Sequence, residues 1–191
     1  LAYAAGQRQF GENYLQEALN KQTELNDLNI EWHFIGPIQS NKTQPIAQHF
    51  DWVHGVDRLK IAQRLNDARP TNLGALQICL QINISGEDSK SGINPSELVP
   101  LATAIQQMPN LKLRGLMTIP EPTSDEHLQR KCFTQMRELL ENLNKNGHGL
   151  DTLSMGMSSD YALAIEEGAT IVRVGSAIFG ARPAKQINEH S

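Results

Sequence analysis

The chain has 191 residues, 39% of them hydrophobic and 20% charged, and a net charge of −4 at neutral pH. That is enough apolar material for one globular domain with a sizeable core, and the acidic balance gives no support for a nucleic-acid surface, which needs clustered Lys and Arg. No apolar run approaches the ~18 residues of a helical membrane span. No signal-peptide pattern is read at Leu1, and Cys79 and Cys132 lack metal spacing, so they read as reduced thiols of a cytoplasmic protein.

In chain order, Leu1–Gly6 (LAYAAG) reads as the tail of a helix closed by Gly6. Strands are predicted at Arg8–Gly11, Trp32–Gly36 and Trp52–His54, with Asp57-Arg58 opening a helix. A fourth strand, Leu76–Ile84, precedes a helix started by Asn94-Pro95-Ser96-Glu97, with Asn or Ser as cap and Pro in the first turn. Strand Leu111–Ile119 leads into a helix over Ser124–Leu143, whose Leu128, Phe133, Met136, Leu139, Leu140 and Leu143 recur near helical period. Strand Thr152–Met155 follows, then Ser158-Ser159-Asp160 capping a helix Tyr161–Glu167 that stops at Gly168, then strand Ile171–Gly175.

Short strands separated by helical crossovers are βα units with a parallel sheet. Seven strands fall one short of a (β/α)₈ barrel, and the chain opens on a helix tail. The expectation is therefore a barrel whose first βα unit lies upstream of Leu1. The alternative is an open seven-stranded α/β sheet.

Barrel chemistry sits at the C-terminal ends of the strands. Here those ends carry polar, glycine-bearing loops: Gly11–Tyr14, Gly36–Lys42, His54–Asp57, Asn83–Gly86, Met117–Pro120, Ser154–Asp160 and Arg173–Ser176. The last two are the place for a phosphate. Gly156–Ser159, running into a helix at Asp160, forms one wall of a cup, and Gly175-Ser176 forms the other. By strand alternation Arg173 points opposite to Val172 and Val174, into the barrel near its mouth. A buried guanidinium demands an acceptor. A ligand's ring nitrogen or phosphate would serve; so would a salt bridge to Glu12. Met155 and Met157 read as core and pocket wall.

Six segments in order, FGENYLQE, WHFIGPIQSNK, LQINISGEDSKSG, LRGLMTIP, LSMGMSSDY and VRVGSAIFGAR, closely resemble the pyridoxal phosphate homeostasis family, over Gly6 to Arg182. The resemblance implies an α/β fold, the (β/α)₈ TIM barrel of the alanine racemase N-terminal-domain type. Residues 1–191 would supply strands two to eight as a single domain, with the first strand missing from this chain. It implies a binding protein for pyridoxal 5′-phosphate (PLP) that buffers or delivers the cofactor in vitamin B6 homeostasis without established catalysis. The alternative is a PLP-dependent enzyme of racemase type.

Carried over by position, Ser158 matches a phosphate-binding serine, Gly175 and Ser176 match the rest of the phosphate cup, and Arg173 matches the arginine facing the pyridine nitrogen. Asn13 matches a polar contact near the ring, Met117 an apolar wall, and His33 a further contact or a core histidine. The resemblance implies no metal and no catalytic residue. It also implies a lysine covalently linked to the cofactor on the first strand, in a motif this chain does not contain. Lys42 and Lys90 lie at the functional rim but match no such position and read as surface charges. PLP-dependent apo-enzymes are the expected acceptors, and a monomer is expected.

Overall fold

The computed structural model describes residues 1–84 and 91–180. Seven strands alternate with helices: β1 (Gln9–Glu12), α1 (Leu15–Glu24), β2 (Glu31–Phe34), α2 (Thr43–His49), β3 (Trp52–Val56), α3 (Leu59–Ala68), β4 (Leu76–Gln81), α4 (Leu98–Gln106), β5 (Leu111–Met117), α5 (Glu126–Lys145), β6 (Thr152–Met157), α6 (Tyr161–Glu166), β7 (Ile171–Arg173) and α7 (Ser176–Phe179). Every strand pair is parallel, and the spatial order is the chain order, β1 to β7. No helix among the described residues is long and apolar enough to cross a membrane.

The strand order decides between barrel and open sheet. A doubly wound sheet reverses direction part-way, whereas this one runs steadily to one side, as a barrel does. The curvature is visible in side chains. His54 on β3 and Ser154 on β6 are separated by two intervening strands, yet His54 Nδ1 lies 2.7 Å from Ser154 Oγ. Only a sheet curled into a near-closed barrel brings those strands face to face, so the open-sheet alternative is set aside.

Strand alternation divides the apolar residues into two layers. Outward-facing Phe34, Val53, Ile78, Leu80, Leu116 and Leu153 pack with Ala18, Ile46, Ile61, Leu65, Ile105, Phe133 and Met136 of the helices in one large core. Inside the barrel a small second cluster holds Trp52, Cys79 and Met117, with Ile171 packed against it. Burial pushes the Cys79 thiol up to about 12, which keeps it protonated and inert.

Local sequence accounts for the helix ends. Residues 1–6 form a turn in which Gly6 N–H donates to Tyr3 O and Gln7 N–H to Ala2 O, the paired bonds of a Schellman closure. Asp125 caps α5 by accepting from the N–H groups of His127 (2.9 Å) and Leu128 (3.3 Å). Asn94 caps the 3₁₀ turn Pro95–Glu97 that leads into α4. Asp160 occupies the cap position of α6, but its carboxylate turns back to accept from Met157 N–H at 2.6 Å. The same closure seen at Gly6 ends that helix, with Gly168 N–H on Ile165 O and Ala169 N–H on Ala164 O.

Candidate functional site

At the C-terminal ends of the strands a cleft of about 430 Å³ opens, lined by Asn13, Ile35, Ile119, Met157, Ser158, Ser159, Arg173, Gly175 and Ser176. Three loops meet there. The β1–α1 loop brings Asn13, and it is held by Gly36 after β2: a Cβ on Gly36 would stand 2.1 Å from Asn13 O, so only glycine lets the two backbones pass. The β6–α6 loop brings Met157, Ser158 and Ser159. The residues after β7 bring Gly175 and Ser176.

Ser158 Oγ accepts from the backbone N–H of Gly175 (3.3 Å) and of Ala177 (3.4 Å). The two walls of the cup are thereby bridged by one hydroxyl, with amide donors converging on it. Arg173 stands below them, partly buried. Its Nη1 donates to Ser154 Oγ at 2.7 Å and its Nη2 to Thr118 O at 2.7 Å. Both acceptors are neutral. Burial pulls the guanidinium down to about 10, and the negative charge of Asp160 opposes that shift; Arg173 stays cationic at neutral pH. The salt bridge to Glu12 is not formed, because Lys21 Nζ takes Glu12 Oε1 at 2.6 Å. Among the described residues Arg173 therefore has no carboxylate partner, and three of the five N–H donors of a guanidinium are not taken by Ser154 or Thr118.

Of the seven residues singled out from the sequence, five line this one cleft: Asn13, Ser158, Arg173, Gly175 and Ser176. Two do not. Met117 is fully buried beside Trp52 and Cys79 beneath the cleft, and Ile35 and Ile119 supply the apolar wall instead. His33 is 4% exposed inside the barrel, stacked on Trp52 with ring centroids 5.4 Å apart. Both share the inward face with Arg173 but sit deeper along the axis. Lys42 is exposed in the 3₁₀ turn Ser40–Lys42. Lys90, Ser85, Gly86 and Arg182 lie outside the described residues. Among the described residues no group of three His, Cys, Asp or Glu side chains could hold a metal ion.

Sequence reading missed Ser154, Thr118 and His54. Their inward alternation on β6, at the end of β5 and on β3 was the available signal. His54 is fully buried, and burial, reinforced by the charges of His33 and Arg173, holds its imidazole well below the ordinary 6.5. Burial also lowers His33, against the pull of Glu31 and Asp51. The sign for stability follows. Above pH 6.5 both rings are neutral in the folded and unfolded chains, so they contribute no pH dependence. Below 6.5 the unfolded chain takes up protons that the folded chain refuses. Unfolding free energy is thus expected to fall on acidification from pH 6.5, by at most about 1.4 kcal/mol per pH unit per ring. Urea midpoints between pH 7.5 and 5.5 measure it; a midpoint that holds or rises over that range overturns it.

Comparison with known proteins agrees with this architecture. The model of the alanine racemase N-terminal domain matches residues 1–183. A pyridoxal phosphate homeostasis protein of Pseudomonas aeruginosa PAO1 is 65% identical over 181 residues, 95% of this chain and 77% of that protein. One of Escherichia coli K12 is 53% identical over 184 residues, covering 95% and 79%. PipY of Synechococcus elongatus PCC7942, solved with PLP bound, superposes with a TM-score of 0.87 at 40% identity, over 94% of this chain and 84% of PipY. An alanine racemase of Clostridium difficile 630 gives a TM-score of 0.76 over 93% of this chain and 46% of its own, and at 14% identity it shares the fold alone. With that identity and coverage, a barrel of the alanine racemase type, and the cleft where barrel sites lie, the chain belongs to the pyridoxal phosphate homeostasis family.

Proposed function

We propose that this chain binds PLP in the cleft between Arg173 and the Ser158–Gly175–Ser176 cup, and holds the cofactor for vitamin B6 homeostasis rather than turning over a substrate. Arg173 carries the reading: a partly buried cation held by two neutral acceptors, with donors to spare, at the mouth of a barrel. The residues fit a phosphorylated aromatic ring. Ser158 Oγ and the N–H groups of Gly175 and Ala177 converge within 3.4 Å, as a phosphate cup requires. Ile35, Ile119 and Met157 offer apolar surface to a ring, and Asn13 a polar contact at its edge.

PLP when bound supplies an electron sink that depends on a protonated ring nitrogen. Arg173, a permanent cation on that side, disfavours a second positive charge there. It therefore binds the ring while weakening the sink, which favours carriage over carbanion chemistry and supports the non-catalytic reading. Residues 1–191 act in this reading as one binding domain, monomeric and cytoplasmic, handing PLP to apo-enzymes that need it.

Titration with PLP, followed by absorbance and equilibrium dialysis, tests the reading. Saturable one-to-one binding that inorganic phosphate competes is expected, and Ser158→Ala is expected to weaken it roughly 2- to 12-fold, the worth of one neutral hydrogen bond. No saturable binding, or a phosphate found at the N-terminal face of the strands in a crystal soaked with PLP, overturns it.

A further inference from the structure

The groups that hold Arg173 lead away from the cleft. Ser154 Oγ, which accepts from Arg173 Nη1, lies 2.7 Å from His54 Nδ1. His54 Nε2 lies 2.9 Å from His33 Nδ1, and His33 Nε2 lies 2.9 Å from Glu31 Oε1. Four hydrogen bonds thus cross the inside of the barrel from β7 through β6 and β3 to the first residue of β2. Ser154 and His54 are fully buried and His33 nearly so.

Chemistry sets the direction of every bond. A guanidinium only donates, so Ser154 Oγ accepts from Arg173. An ionised carboxylate only accepts, so His33 carries its proton on Nε2 and its Nδ1 is an acceptor. His54 Nε2–H then donates to that Nδ1, and His54 Nδ1 accepts the Ser154 hydroxyl proton. Each group spends its one proton toward Glu31 and offers its lone pair toward Arg173.

We propose that His33, His54 and Ser154 are positioning residues for Arg173: as a chain of neutral donors and acceptors anchored on Glu31, they keep the Ser154 lone pair turned to the guanidinium and so hold Arg173 in place for the cofactor ring. The proposal rests on the PLP reading above. It carries a consequence for pH. A protonated His54 donates from both ring nitrogens. Ser154 Oγ then faces two donors, and a second cation stands beside Arg173.

The other charged or titratable neighbours do not relieve this. Glu31 and Asp51 reach His33 rather than His54. Arg114 on β5 sits over the Trp52 ring at 4.8 Å and is committed to Asp151 at 2.7 Å. Cys79 on β4 remains a thiol. Burial and the charges of His33 and Arg173 all disfavour charge on His54.

The experiment compares wild type, His54→Leu and His54→Asn in binding PLP, 1-deaza-PLP (carbon for the ring nitrogen) and inorganic phosphate from pH 7.5 to 5.5. At pH 7.5, His54→Leu is expected to bind PLP about tenfold more weakly, up to the value of one hydrogen bond. Its affinity for 1-deaza-PLP and for phosphate should stay within about twofold of wild type, the scatter expected where no contact is lost. His54→Asn, whose amide oxygen can take the Ser154 proton, should recover most of the loss. Any fall in affinity just below pH 6.5 is expected in wild type and His54→Leu alike, because burial holds His54 neutral there and the ligand's own phosphate titrates near pH 6. Equal PLP affinities, or equal losses for all three ligands, overturn the proposal.

If His54→Leu does not fold, Ser154→Ala serves in its place, with the same expected losses. Ligand-free protein separates this proposal from the PLP reading. Ring ¹⁵N shifts at pH 7.5 should give the Nε2–H tautomer for both His33 and His54. An Nδ1–H or doubly protonated ring breaks the chain whether or not PLP binds, whereas the expected tautomers with no PLP binding overturn the PLP reading alone.

Discussion

Gly115→Ala is expected to destabilise the chain by about 3 kcal/mol or more, at or above the top of the range for overpacked sites, and to abolish folding if the remaining stability is smaller. Gly115 lies in β5 opposite Thr152 of β6. A Cβ at Gly115 would stand 1.8 Å from Thr152 O, 2.6 Å from its carbonyl carbon and 2.9 Å from its Cα. All three are backbone atoms of a paired strand. A flexible side chain could swing aside, but Thr152 can yield only by moving β6 away from β5. That would disturb Ser154, two residues on, and with it the anchor of Arg173. Urea unfolding of the variant against wild type measures the effect. A midpoint unchanged within error would mean the two strands separate freely at this point and would sink the close-approach argument.

Replacing Arg173 with Gln is expected to weaken PLP retention by about 1.5–3 kcal/mol, roughly 10- to 150-fold, the range for a charge-assisted hydrogen bond. Gln is shorter and neutral. It cannot reach Ser154 Oγ and Thr118 O together, as the guanidinium fork does at 2.7 Å each. The lost charge also removes the attraction to a ring nitrogen acceptor. Equilibrium dialysis gives the affinity and urea unfolding the stability. Unchanged PLP affinity with a large loss of stability would assign Arg173 to the barrel interior alone and would overturn its ligand role.

Much of this architecture was legible from local sequence. β-branched runs ending in glycine marked the strands, and the cap at Asn94 and the stop at Gly168 marked helices. Boundaries slipped where tertiary contacts intervened. The fourth strand reads to Ile84 but ends at Gln81, because Ile82 leaves the sheet to bridge Ile93. The fifth reads to Ile119 but ends at Met117, since Thr118 turns its hydroxyl to Ile82 O and its carbonyl to Arg173. α7, four residues of Ser-Ala-Ile-Phe, carries no periodic signal at all.

Depth within the barrel was the larger blind spot. Alternation says which side chains face inward but not how far up the axis each sits, because that depends on strand stagger. Met117, expected as an apolar wall of the cleft, is therefore found beneath it, while His33 takes the core position that was one of its two readings. The Glu12 pairing failed for a similar reason: a helix one loop later presents Lys21 to it. The His54–Ser154 contact joins residues 100 positions apart, a separation over which a single sequence carries no pairing signal.

The unreversed strand order has a consequence for how the molecule is made. Each strand pairs with the strand just before it in the chain, so every sheet contact closes a loop of modest length, from Gln9↔Glu31 to Leu116↔Leu153. A chain emerging from the ribosome can lay down each βα unit on the one already folded, with little to wait for downstream. The bonds that gather the cleft are of another kind. Arg173 reaches back 55 residues to Thr118, and Ser158 receives Gly175 and Ala177 only once β7 is in place. Assembly and the gathering of the cleft are thus separated in time: β1 to β6 accumulate as scaffold, and these contacts form only when β7 is synthesised and docked.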